Sequence, residues 1–285
     1  MIRIVALIVL FMGVIFTVVT NLVAKRSGHR GVNPIAAISR GVSATLNEAG
    51  KIAPGLKDAL TRADINIAKI GSGNANPSLA MAMQDLSGAD FSGQNRQGAK
   101  FAGASLSNAV FVSTLLDEAV FEGAAGAGAI LTKARLSAAN LNASVFKDAD
   151  FTDADLHGAT ARAADMTGAD FTKADLSFAR LSALSGAGAR FVGVYATSAI
   201  FTDAQLPGAV FTGADLTDAR FIGADLSNAD FSGAQIAGAD FAGARVYGAD
   251  FSRAVGAAPD QLVKACGDAE TQLPAGVSPP ACAAE

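Results

Sequence analysis

From Leu86 to Phe251 a large apolar residue recurs every five positions without a single frame shift. A period of five fits neither the 3.6-residue turn of a helix nor the two-residue alternation of a strand. A chain written this way has to turn a corner in every unit. Of the 34 in-frame positions, 29 are Leu, Phe, Met, Ile or Val; the exceptions are Arg96, Gly126, Ala161, Gly186 and Ala196. Two residues before each centre, 28 of the 34 positions are Ala. The residue between is often Asp, as in Ala-Asp-Phe at 89–91, 149–151, 169–171, 229–231, 239–241 and 249–251, and Gly is favoured two residues after the centre. The composition carries the same bias, with 17 Phe, 2 Tyr and no Trp, as expected of a repeat architecture.

Residues 214–233, Ala-Asp-Leu-Thr-Asp-Ala-Arg-Phe-Ile-Gly-Ala-Asp-Leu-Ser-Asn-Ala-Asp-Phe-Ser-Gly, match the unit A-[DN]-[LF]-x-x almost without exception. The segment resembles the pentapeptide-repeat family. That resemblance implies an all-β solenoid, a right-handed quadrilateral β-helix in which four units make one square coil. The sequence supports a period of 20 on its own terms. One column of centres holds Phe91, Phe111, Leu131, Phe151, Phe171, Phe191, Phe211, Phe231 and Phe251, and the column ten residues away holds Phe101, Phe121, Leu141, Ala161, Leu181, Phe201, Phe221 and Phe241. The other two columns are mostly Leu, among them Leu116, Leu136, Leu156, Leu176 and Leu216. Burying one Leu or Phe is worth roughly 1.5–3 kcal/mol, whereas fixing five backbone residues costs roughly 5–10 kcal/mol. A lone unit therefore cannot fold, and the array depends on its neighbours.

The pattern divides the chain into 1–24, 25–83, 84–254 and 255–285. Residues 4–24 carry no charge and span about 31 Å as a helix at roughly 1.5 Å per residue, the thickness of a bilayer core. Val18-Val19-Thr20 and Leu22-Val23-Ala24 fit a signal-peptidase site poorly, so an uncleaved single-pass anchor is expected. In 25–83, Asn33-Pro34 reads as a helix start. Ile35, Ile38, Val42 and Leu46 follow at helical spacing, before a linker at Gly71–Pro77. This segment reads as a partly helical spacer, or as a helix for oligomerisation or for lying on the bilayer surface. Counting Lys25, Arg26, Arg30 and Arg40 places the repeats in the cytoplasm. Cys266 and Cys282 point the other way, because a disulfide between them persists only outside it. The expectation is a bacterial inner-membrane protein with a periplasmic rod.

At the end of the array, Pro259 to Cys266 reads as a short capping helix, and a Cys266–Cys282 bridge would staple the tail; two unpaired thiols are the alternative. Within the array, Asn95-Arg96-Gln97 predicts a loop or bulge, and Ser182 to Ser198 predicts a narrow or distorted coil. Outward positions are normally polar, but Val110, Val112, Leu115, Val120 and Ile130 are apolar, and Val192, Tyr195 and Ile200 form a second group. The first is a candidate docking patch for a protein partner or a second copy, unless residues 25–83 cover it.

Catalysis is not expected. Asp150, Asp155, Asp170 and Asp175 repeat with the period of the fold on a convex rod, whereas acid–base chemistry needs carboxylates gathered in a pocket. His157 falls to the same argument. Two Cys and two His set far apart provide no metal or cofactor site. The net charge of −4 and the lack of a large basic patch argue against nucleic-acid binding. Two functions remain. One is a membrane-tethered scaffold with an unknown protein partner and the possibility of homo-oligomers. The other, implied by the resemblance, is a DNA-mimic modulator of DNA gyrase.

Overall fold

The structure is a computed structural model that describes residues 81–258, 261–275 and 277. The expected anchor, most of the spacer and Cys282 lie outside the described residues. Among the described residues no helix is long and apolar enough to cross a membrane.

The array is a square coil. Asp85 pairs in parallel with Ser105, Asp90 with Val110, Asn95 with Leu115 and Lys100 with Val120, and each step of 20 residues repeats this up to Gln235 with Val255. The residue before each centre thus lies in the middle of a flat side. Face 1 is the column through Asp85, face 2 through Asp90, face 3 through Asn95 and face 4 through Lys100. The centres and their alanines point inward, and from Phe101 to Phe251 they are buried almost without exception.

One unit shows how the backbone is satisfied. In Ala149–Asp153, Asp150 N–H donates to the coil before (Ala129 O, 2.9 Å), while Phe151 and Asp153 N–H donate to the coil after (Asp170 O, 2.7 Å; Thr172 O, 3.0 Å). Ala149 N–H closes the corner onto Phe146 O at 3.3 Å. Only Thr152 N–H is left over, and the Asp150 carboxylate accepts it at 2.8 Å. Every backbone donor is paired. The residue two after each centre has positive φ from Met83 through Gly248, which is why Gly is favoured there.

The core sorts as the 20-residue period predicts. Successive Phe rings of one column lie nearly parallel, as for Phe191 and Phe211 (4.7 Å, 5°) and for Phe201 and Phe221 (4.8 Å, 3°). Rings of the two opposed columns meet edge to face, as for Phe211 and Phe221 (5.6 Å, 86°). Both arrangements suit the ring quadrupole.

Three expectations change. There is no bulge at 95–97: Arg96 N–H donates to Leu115 O at 2.7 Å, in register. The Arg96 side chain sits in the first coil, with its guanidinium carbon 5.4 Å from the centre of the Phe91 ring and Nε donating to Gln94 at 3.0 Å. The end of the core tolerates the charge, and partial burial pulls its pKa below the usual arginine value. The stretch 182–198 is not distorted either. Leu184 and Val194 replace the small residue in the units where Gly186 and Ala196 replace the large one, and both are fully buried. A Cβ on Gly186 would lie 2.8 Å from Leu206 and 3.6 Å from Leu184, so bulk has moved two positions along the unit.

The third change is the cap, where residues 261–265 form turns and not a helix. The last coil leaves backbone groups open, and the ladder captures them before a helix can close. Cys266 and Gln272 donate to Ala244 O (2.7 Å) and Ala249 O (2.9 Å). The Gln261 carboxamide serves Ile236 O and Ala239 O at 2.8 and 2.9 Å. Leu262 and Ala265 close the core. Cys266 is disulfide-bonded.

Gly126 shows the same exchange of volume between coils. A Cβ there would overlap the Phe146 ring, which lies directly above it in a column that holds no other Phe and has Leu at 86, 106, 206 and 226. Replacing Gly126 with Leu should destabilise the rod by about 1–3 kcal/mol through overpacking. Adding Phe146→Leu, which restores the ordinary column, should recover most of that loss. Urea midpoints of the single and double variants test the pair.

Candidate functional site

The outward surface is four flat faces, and their charges differ. Face 1 carries Asp85, Asp165 and Asp225 against Arg245; face 2 carries Asp90, Asp150, Asp170, Asp230 and Asp250 against Arg190; face 3 carries Asp155, Asp175 and Asp215 against Arg135. Face 4 reverses the sign, with Lys100, Arg180 and Arg220 against Asp240.

All twelve face aspartates have the same local duty. Each accepts the backbone N–H two residues on, at 2.8–3.2 Å. Several use the second oxygen to reach the previous coil, as in Thr132 to Asp150 (3.0 Å), Ser137 to Asp155 (2.9 Å) and Thr212 to Asp230 (3.0 Å). The carboxylates are side-chain caps of the corners. They do not converge on a common point, and among the described residues no cluster of three or more potential metal ligands forms.

Asp85, Asp90, Asp150, Asp165 and Asp230 are held below the usual carboxylate range. Burial raises the pKa of Asp150, but hydrogen bonds from the Thr152 side chain and backbone and from Thr132 outweigh it, and the carboxyl is held below the usual range. Burial is likewise outweighed at Asp230, by Ser232 and Thr212, and Asp90 is lowered by the Ser92 side chain and backbone. A depressed folded-state pKa stabilises the fold above the unfolded value, near 3.9. That contribution is lost as pH falls through the lowered folded value. The urea midpoint should therefore stay level above about pH 5 and fall steadily below about pH 4. Asp150→Asn keeps an acceptor for Thr152 N–H and should shrink the acid-side slope.

Among the described residues four ion pairs join successive coils: Arg135–Asp117 (3.2 Å), Lys147–Asp165 (3.0 Å), Arg190–Asp170 (3.3 Å) and Arg245–Asp225 (3.9 Å). In each the cation is at least half exposed while its carboxylate is more covered, and pairs with one solvated partner contribute little. On face 4 no such pair forms among the described residues.

Of the candidate docking patch, Val110 and Ile130 are bridged neighbours on face 2. Val112 lies at the next corner, Leu115 on face 3 and Val120 on face 4. All five are partly or largely exposed, with Ile130 at 38%. His157 is exposed at the corner between faces 3 and 4, and its ring meets Phe178 at 5.4 Å. Phe178 escaped the sequence reading, although a Phe where Gly is the rule was the available signal.

A profile of pentapeptide repeats matches the chain in eight copies, over residues 85–123, 129–168, 149–183 and 214–253. The chain belongs to the pentapeptide-repeat family. The profile passes over 124–128, which holds Gly126, and 184–213, which holds the exchanged bulk at Leu184 and Gly186. Full-length QnrB1, a plasmid-mediated fluoroquinolone resistance protein, superposes with a TM-score of 0.54 at 18% identity, over 63% of this chain and 94% of QnrB1. HetL, a pentapeptide repeat protein involved in heterocyst differentiation regulation from the cyanobacterium Nostoc sp. strain PCC 7120, is 24% identical over 69% of this chain and 86% of its own, with a TM-score of 0.32. The likeness to QnrB1 is one of fold, a right-handed quadrilateral β-helix solenoid. No curated protein matches the chain.

Proposed function

We propose that this pentapeptide-repeat protein is a non-catalytic interaction scaffold, held at a bacterial inner membrane through residues 4–24, with its rod in the periplasm. The observation that carries the reading is the use of the carboxylates. All twelve on the faces are committed to corner hydrogen bonds, which leaves flat, regular sides and no gathered acid–base group. The tether rests on the uncharged run of residues 4–24. The periplasmic placement rests on the cysteines, with Cys282 as the proposed partner of Cys266.

The DNA-mimic reading is weaker on charge. A duplex is negative all round its axis, whereas face 4 of this rod carries cations and a single carboxylate. Its likeness to QnrB1 does not extend beyond fold.

The test is a photocrosslinking amino acid placed at Val110 or Ile130 in intact cells. A discrete adduct to another polypeptide is expected. Val110→Ser with Ile130→Ser should reduce that adduct at least several-fold when the crosslinker sits at Val112. No adduct from any of these positions, or an adduct indifferent to the serines, would remove the scaffold reading for this patch.

A further inference from the structure

Two apolar groups occupy the same columns four coils apart. Val112, Leu115 and Val120 take the corner after face 2, the middle of face 3 and the middle of face 4 in one coil. Val192, Tyr195 and Ile200 take the same three places four coils later. Between and beyond these belts the rows are charged with opposite signs, Asp175 beside Arg180 and Asp215 beside Arg220. Neither arginine has a carboxylate partner among the described residues. Tyr195 is 59% exposed and Phe178, at the corner between these two faces, 56%.

We infer that face 4 of one copy docks on face 3 of a second copy, with the two rods parallel and level. The inference rests on the scaffold reading and names one occupant for it. At equal height Val120 meets Leu115 and Ile200 meets Tyr195, while Arg180 meets Asp175 and Arg220 meets Asp215. Between these rows Thr160 offers a hydroxyl to Asp155, and beyond them Gln235 offers a carboxamide to Asp240.

Every other level pairing sets carboxylate against carboxylate. Faces 1 and 2 oppose Asp85 to Asp90, faces 1 and 3 oppose Asp165 to Asp175, and faces 1 and 4 oppose Asp225 to Asp240. Faces 2 and 3 oppose Asp150 to Asp155, and faces 2 and 4 oppose Asp230 to Asp240. A face set level against its own copy opposes identical charges. Faces 1 and 4 also bring Asp85 to Lys100 and Asp165 to Arg180, and faces 2 and 4 bring Asp90 to Lys100 and Asp170 to Arg180. Like charges across an interface select against the wrong partner, and the pairing of faces 3 and 4 is the one with no like-charged row.

The square section then sets the number of copies. Faces 3 and 4 are adjacent sides, so each contact turns the next copy by about a right angle, and the head-to-tail contact closes at four. A face is roughly 10 Å wide and eight coils tall, roughly 38 Å. One contact therefore buries on the order of 800 Å² from both partners, short of the ~1,200 Å² of a stable pair. In a closed ring each copy makes two contacts, on the order of 1,600 Å². The corner between faces 3 and 4 lies on the ring axis, where the Phe178 rings of four copies come together. Asp117, Glu118 and Asp218 lie on the same corner, Asp117 paired with Arg135, and they are the like-charge cost of closure.

The experiment is light scattering on the full-length protein in dodecyl maltoside, giving the protein mass of the particle. Four chains are expected. Arg180→Asp with Arg220→Asp should fall to one chain, and so should Asp175→Arg with Asp215→Arg. Mixing these two variants restores opposite charges at every contact and should return four chains. Far-UV circular dichroism confirms that each variant keeps its coil. A wild-type single chain overturns the inference, as does either variant keeping the wild-type mass, or folded variants that stay apart when mixed. A single-chain wild type that sediments with phosphatidylglycerol vesicles through Arg180 and Arg220 overturns it in favour of a membrane surface for face 4. The crosslinks from Val110 and Ile130 on face 2 test the scaffold separately, so four chains without those adducts would sink the partner reading alone.

Discussion

Phe211→Ala should destabilise the rod by about 3–5 kcal/mol, the range for removing a fully buried Phe. The ring is fully buried. It stacks on Phe191 below (4.7 Å, 5°) and Phe231 above (4.9 Å, 9°) and meets Phe201 and Phe221 edge-on at 6.1 and 5.6 Å. Its loss removes two stacked and two edge contacts, and the neighbouring coils are held at the β-ladder spacing, so they cannot collapse into the gap. In a solenoid each coil rests only on its neighbours. The deletion should therefore split unfolding into two steps, with the C-terminal coils melting first. Phe91→Ala is the contrast. That ring lies at the end of its column and has a stacked partner on one side only, Phe111 at 4.9 Å. It should cost about half as much, because its removal forfeits one stacked neighbour and not two. Thermal melts followed at two wavelengths, with calorimetry, would show both the loss and the splitting; a single unchanged transition for Phe211→Ala would refute the stacked-column account.

The fold was legible because the period is both local and strict. Five residues per corner and twenty per coil place every inward side chain, so the Phe and Leu columns could be written down before any coordinate. What the period could not convey was exchange between columns. Arg96 breaks the pattern where the coil begins, and only its position at the end of the core, against Phe91 and Gln94, makes the charge tolerable. Gly126 looks like a defect until Phe146 is seen above it, twenty residues away. Leu184 and Gly186 look like two defects and are one displacement. The cap failed for a different reason. Residues 259–266 have helical character by composition, but the open ladder edge competes for Cys266 N–H and for the Gln261 carboxamide, and tertiary pairing wins over local propensity. The aspartates were read as solvent-facing ornaments of the repeat. Their carboxylates are the acceptors that complete the backbone accounting, which explains Ala-Asp-Phe as a unit. The opposition of faces 3 and 4 was present in the sequence too, but it emerges only when columns are compared row by row across two copies.

Converting Ala138, Ala143, Ala183 and Ser198 to Gly should raise stability by about 2–4 kcal/mol in total. Each of these residues sits at the corner position with φ between 53° and 57°. An L-residue with a Cβ in that conformation carries roughly 1–2 kcal/mol of strain. Gly removes the strain and adds freedom to the unfolded chain, a penalty of roughly 0.4–1 kcal/mol. The difference leaves about 0.5–1 kcal/mol of gain per site. The side chains are short and contribute little packing at a corner, so strain decides the sign. The four sites lie on different corners or at least two coils apart, and separated sites add. Asn108, Asn228, Asp148 and Asp203 occupy the same position with φ between 54° and 58°. Short polar side chains tolerate this region better, so changing those four to Gly should gain less than half as much. Chemical denaturation of the two quadruple variants, compared at fixed m-value, separates the outcomes. Equal shifts for both sets, or a loss for the alanine set, would mean that the corners carry no stored strain and that glycine is frequent there for another reason.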